Sequence, residues 1–276
     1  MKLTLGFSPC PNDTFIFEAM VHGRIDTGGL EFDWFLADVE ELNHRAIEGS
    51  VDITKMSFHA YARAATGYLI LDSGSALGRN NGPLVVSKRK ICPDELDNAM
   101  IAIPGRYTTA NLCFSIFWPD ATLKREYLFS DIPEAVLSGE ADAGLIIHET
   151  RFTYRKMGLQ LVADTGAMWE EMTGLPLPLG CIAVNRSLDQ ETALKVNRAI
   201  RRSIEYALSS PQESVDFIRK HARETDAEVT REHIKLYVND FSLSLGEEGH
   251  RAIEKLFSTA REKGVTDPLP DRIFLF

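Results

Sequence analysis

The chain has 276 residues, 44% of them hydrophobic and 25% charged, with a formal net charge of −10 at pH 7. Such a composition can bury a sizeable core, which excludes a disordered chain, and the length suits two lobes better than one compact core. The acidic balance and the absence of any Lys/Arg run argue against nucleic acid as a partner, so an anionic ligand would have to be held by local cations and helix ends.

The N-terminal stretch MKLTLGFSPCPNDTF carries one Lys and a short apolar run, where an export signal needs a longer apolar core. No segment approaches the roughly 18 apolar residues of a membrane span. The expectation is a cytoplasmic protein with no membrane partner. Residues 2–7, KLTLGF, alternate as a strand does. SPCPND breaks that strand, and Asn12 or Asp13 can cap a helix over 14–22 that Gly23 ends. A second strand is expected over 30–36. Asp38 then caps a helix that stops at Gly49, and VDITKMS (51–57) reads as a third strand. This alternation predicts a mainly parallel sheet covered by helices.

The pattern recurs. GPLVVSKR (82–89) reads as a strand that can cross between lobes, 100–105 as a strand, and about 108–118 as a helix. Strands over 122–129, 143–149, 160–166 and 181–185 follow, with Ser130 or Asp131 capping a short helix between the first two. From Leu188 onward the apolar residues take helical spacing and predict four amphipathic helices. His221, His233 and His250 in them read as solvated or half-buried surface residues. The four cysteines, Cys10, Cys92, Cys113 and Cys181, form no C-x-x-C pair, which points to reduced, mostly buried thiols. Cys10, in a Pro-rich loop, is the one placed for exposure.

AIEGSVDITKMSF (46–58) and VLSGEADAGLIIH (136–148) share a plan: a helix end, Gly-x-x-Asp, then a mostly apolar strand. Gly49 matches Gly139, Asp52 matches Asp142, and Phe58 falls opposite His148. LGFSPCPNDTF and IAIPGRYTTAN likewise both run from strand through a Pro-bearing loop into a helix. Two matches in the same order predict two similar α/β lobes. Open α/β sheets bind ligands beyond the C-terminal ends of their strands. Here those ends carry Ser8, Ser57, the stretch from Arg106 to Ala110, and His148, and two helix N-termini point the same way, favouring a carboxylate or phosphate. The expected architecture is a two-lobed, type II periplasmic-binding-protein-like α/β fold with a central cleft and a helical C-terminal segment. Its first lobe spans 1–87 and 183–276, and its second 88–182.

The strings GFSPCPNDTFIF, DVEELN, TKMS, SGSALGRNNGPLVV, PGRYTTA, GLIIHETRFTY, TGLPLPLG and YVNDFSL resemble, over nearly the whole chain, the 1,4-dihydroxy-6-naphthoate synthase family of the futalosine route to menaquinone. The resemblance implies a lyase-type conversion of cyclic dehypoxanthine futalosine to the naphthoate, with release of a sugar-derived fragment. It also implies no metal and no redox cofactor. By motif, His148 of GLIIHE corresponds to the proton-accepting residue. Lys55, Met56 and Ser57 of TKMS, with Thr109 and Ala110 of TTA, correspond to substrate contacts.

The residues themselves leave more than one reading open. His148 suits a satisfied core imidazole, a metal ligand or a proton carrier, although His148-Glu149 fails to complete H-E-x-x-H because position 152 is Phe. Ser57 suits a turn cap or a substrate contact, with no G-x-S-x-G elbow to make it a nucleophile. Thr108 or Thr109 can cap the helix that follows, and Lys55, Arg79, Arg106 and Arg151 suit either solvated charges or carboxylate contacts. SGSALGRNNG lacks Walker or Rossmann spacing, so no nucleotide site is expected. A non-catalytic carboxylate-binding or sensor protein with the same cleft is the competing class.

Overall fold

A computed structural model describes residues 1–222 and 226–276. In chain order, β1 (Lys2–Phe7), α1 (Pro11–Val21), β2 (Glu31–Leu36), α2 (Val39–Ile47), β3 (Ile53–Ser57) and α3 (Phe58–Ala64) are followed by the short strands β4 (Tyr68–Ile70) and β5 (Ala76–Gly78). Next come β6 (Leu84–Ser87), β7 (Ile101–Ile103), α4 (Thr109–Phe117), β8 (Lys124–Glu126), α5 (Ile132–Ser138), β9 (Ala143–Ile146), α6 (Thr150–Thr153), β10 (Gln160–Asp164) and α7 (Thr165–Thr173). After β11 (Leu177–Asn185) the chain is helical: α8 (Gln190–Ser209), α9 (Val215–His221), α10 (Ala227–Tyr237), α11 (Asp240–Leu243) and α12 (Gly246–Glu262).

The strands form two sheets, in the orders β2-β1-β3-β11-β4, with β5 also on β11, and β10-β6-β9-β7-β8. Each has a parallel centre extended by antiparallel strands: β11 against β3 in the first, β6 against β9 in the second. Sheet membership differs from the expected lobe limits at both crossings. β6, on the first-lobe side of residue 87, pairs only in the second sheet. Leu177 to Ile182, on the second-lobe side, belongs to β11, which pairs only in the first. Both stretches are apolar runs buried in either setting, so no periodicity distinguishes one sheet from the other.

The repeat seen in the sequence has a physical counterpart. Asp52 accepts hydrogen bonds from the Thr4 amide and hydroxyl, both at 2.8 Å, just before the Leu5–Ile53 pairing of β1 with β3. Asp142 accepts from the Met100 amide at 2.8 Å, just before the Ile101–Ala143 pairing of β7 with β9. Each carboxylate therefore staples the entry of a parallel strand pair at the same register. Gly49 and Gly139 both adopt left-handed φ, 72° and 87°, to turn from helix to strand.

One apolar core packs α1 and α8 on one face of the first sheet. Another, on its far face, joins Phe58, Tyr61, Cys181 and Phe257 to Leu112, Cys113 and Ile116 of α4 and Trp169 of α7. That second core therefore runs across both lobes. Cys10 is buried and Cys92 exposed, the reverse of the sequence reading, because α1 begins immediately after Cys10 and draws it inward.

Candidate active site

The C-terminal ends of β1, β3 and β9 and the N-termini of α1 and α4 surround one cleft with about 680 Å³ of empty space. Lys55, Met56, Ser57, Thr109, Ala110 and His148 all line it, joined by Ser8, Asn12, Asp13, Asn81, Gly180 and Tyr237. Lys55 is buried, and its Nζ lies 2.9 Å from Asp13 Oδ1, so it is no solvated surface charge. The Met56 side chain is fully buried in the shared core, which leaves its backbone for any ligand. Ser57 makes no side-chain cap to α3. Its amide donates to Asn43 Oδ1 (2.9 Å) and its hydroxyl lies 3.3 Å from Asn43 Nδ2.

Thr108, not Thr109, caps α4, accepting from the Asn111 amide. The Thr109 hydroxyl is occupied across the lobes: it accepts from the Phe58 amide (2.9 Å) and donates to the Leu179 carbonyl (2.5 Å). The first main-chain bond at this helix start runs from Leu112 N to Thr108 O, so the amides of Thr109 and Ala110 have no intrahelical acceptor. At α1 the first such bond is Thr14 N to Cys10 O. The N-cap there is Cys10, and Asp13 binds backward to the Ser8 amide and hydroxyl instead of capping. Two helix N-termini thus present bare amides to one cleft, an arrangement that suits an anion.

The loop before α4 is fastened to the first lobe. Glu40 accepts from the Tyr107 amide (2.8 Å) and from Asn43 Nδ2 (2.7 Å). Gly105, at φ +142°, brings its backbone so close that a Cβ there would lie 2.5 Å from Glu40 Cδ. His59 Nδ1 lies 3.3 Å from the Thr108 carbonyl, and burial pushes this ring's pKa down to about 4.

His148 follows β9 and takes φ +54°, a left-handed conformation uncommon for any residue but glycine. This turn ends the strand and swings the imidazole into the cleft. The ring packs edge-on against Phe129 (4.8 Å between centroids) and lies parallel to His233 (6.2 Å, 15° between planes). Cys10 Sγ is 3.5 Å from its Nδ1. Burial lowers the His148 pKa, outweighing the nearby carboxylates Glu149, Asp38 and Asp13, so the ring is neutral at pH 7 with a lone pair available. Cys10 is no activated nucleophile, because burial and the charges of Glu149 and Asp13 push its thiol well up.

His233 departs furthest from its sequence reading. It is fully buried, 2.9 Å from Asn12 Oδ1, and packs on Tyr237 at 4.6 Å. Arg151 is also drawn inward, donating to the Gly82 carbonyl and reaching Asp164 at 3.3 Å, while Arg79 stays at the surface with Glu248. Among the described residues, no group of three or more His, Cys, Asp or Glu side chains could hold a metal ion, and no helix is long and apolar enough to cross a membrane.

The profile of a family described as menaquinone biosynthesis matches residues 3–262. A curated protein of Thermus thermophilus named 1,4-dihydroxy-6-naphtoate synthase is 47% identical over 273 residues, covering 99% of each chain. A crystal structure of a protein from Archaeoglobus fulgidus is 39% identical and superposes with a TM-score of 0.90 over 96% of this chain and 98% of that one. A Candida albicans protein described as having the generic periplasmic binding protein fold is 13% identical, with a TM-score of 0.71 over 98% of this chain and 92% of that one.

Proposed function

Since the chain belongs to the menaquinone-biosynthesis family, we propose that it is a 1,4-dihydroxy-6-naphthoate synthase whose substrate is cyclic dehypoxanthine futalosine. The observation that carries this reading is a neutral imidazole, His148, facing two helix N-termini across one cleft. The substrate carboxylate sits against the bare amides of Thr109 and Ala110, beside the Ser57 hydroxyl, where helix dipoles and N–H groups favour negative charge. Lys55 adds positive charge but shares it with Asp13. His148 accepts a carbon-bound proton, and the electron pair left behind expels the sugar-derived fragment as the ring system becomes aromatic. Electrons stay within the substrate in this scheme, so the protein's part is proton transfer and orientation.

The assay is direct. Purified protein incubated with cyclic dehypoxanthine futalosine, without added metal or nicotinamide, is expected to yield a compound of the naphthoate's mass. Tight binding with no product would make the cleft that of a binding or sensor protein instead.

A further inference from the structure

The buried ionisable groups of the C-terminal helices include a histidine that the proton transfer above leaves idle. His233, on α10, has its Nε2 2.9 Å from Asn12 Oδ1. The direction of that bond follows from its neighbours. Asp13 Oδ1 accepts from Lys55 Nζ (2.9 Å) and from Asn12 Nδ2 (2.8 Å), while Oδ2 accepts from the Ser8 amide (3.2 Å) and hydroxyl (2.7 Å). A carboxylate paired with a lysine only accepts, so Asn12 turns its NH2 group to Asp13 and its Oδ1 to His233. Oδ1 accepts in turn, so His233 carries its proton on Nε2 and Nδ1 is bare. Among the described residues that buried Nδ1 has no hydrogen-bond partner, which agrees with an unprotonated nitrogen. Burial, with His148 and Lys55 nearby, pushes the pKa of His233 far down.

Asn12 lines the cleft, and only one of its two amide hydrogens is used by Asp13. We propose that His233 is a positioning residue: its Nε2–H pins the Asn12 amide so that Asn12 offers a substrate oxygen an N–H and not a carbonyl. The inference rests on the cleft being the substrate site. Held at both ends, the amide is fixed. Released by His233, a buried Oδ1 is left without a donor and rotates to find one, taking the second N–H out of aim. His233 has no contact with substrate in this arrangement and acts through Asn12 alone.

The test measures kcat and KM for cyclic dehypoxanthine futalosine in wild type, His233→Leu, His233→Gln, Asn12→Ala and the Asn12→Ala/His233→Leu double variant. Folding is checked by circular dichroism. Loss of one hydrogen bond predicts roughly a tenfold drop in kcat/KM for His233→Leu, carried by KM. His233→Gln retains most of the activity, because its amide can donate from near the Nε2 position. The double variant is expected to be no worse than Asn12→Ala alone. A His233→Leu protein with wild-type kcat/KM overturns the proposal, as does a folded His233→Gln protein as impaired as His233→Leu, or multiplying losses in the double variant. Should His233→Leu not fold, His233→Phe keeps a ring, removes both nitrogens and is read the same way. A wild type without turnover overturns the functional reading and this inference with it, whereas wild-type turnover with an unimpaired His233→Leu overturns the inference alone.

Discussion

His148 combines a left-handed backbone, an aromatic wall and a lowered pKa in one residue. If it is the base, its neutral form is the active one. Because its pKa lies below the ordinary histidine value, activity should persist as pH falls through 6.5 and fail only at lower pH. A kcat/KM profile is expected to show its acid limb below pH 6.5; a limb at or above that value would contradict the assignment. His148→Ala should fold and lose about 10²- to 10⁴-fold in kcat, the usual worth of a positioned acid–base group. Near-normal turnover in that variant would remove His148 from the chemistry.

Among the elements, α4 has two duties. Its N-terminal amides face the cleft while the Thr109 hydroxyl ties α4 across to the Phe58 amide and the Leu179 carbonyl of the first lobe. Thr109→Val leaves a buried amide and carbonyl without that partner, so a loss of about 1–3 kcal/mol is expected, measured by urea unfolding. Thr109→Ser should recover most of it, and an unchanged midpoint in the valine variant would show the tie to be idle. This bond could not be read from the sequence, where Thr109 serves equally well as a cap. What could be read were the features with a strong local signal: the alternation of β1, the Asp38 cap of α2, the Gly-x-x-Asp entries to β3 and β9, and the long apolar stripe of α8. β4 and β5, three residues each, are too short to show a period, and α3 is buried on nearly all sides, so it lacks a polar stripe. His233 reads as a surface residue in the sequence for a related reason. On α10 the fully inward residues are His233 and Tyr237, four apart, and both are polar enough to pass for the solvent face. That spacing was the available signal. Asn12 and Asp13 were visible only as cap candidates, because their partners Lys55 and His233 lie far along the chain.

At the scale of the whole molecule, two sheets suggest two bodies free to swing, yet the shared core argues otherwise. Leu112, Cys113, Ile116 and Trp169 would all lose apolar contact in a wide opening, at about 2 kcal/mol for each large side chain exposed. Several such losses make an open form rare. Small-angle scattering profiles with and without substrate or product are therefore expected to superimpose, and a clear contraction on binding would show that the lobes do part. Ligand entry then depends on local movement at the rim, not on a hinge.

The left-handed turn at residue 148 carries a consequence of another kind. A backbone there costs an imidazole on the order of 1 kcal/mol that a glycine would not lose. In its mirror position in the first half of the chain, Phe58 simply starts a helix, at no such expense. Selection for stability alone would thus erode the residue proposed to react. Sequence drift at this position should run downhill toward small, permissive side chains in any lineage that no longer needs the product, making residue 148 an early record of whether the activity is still under selection.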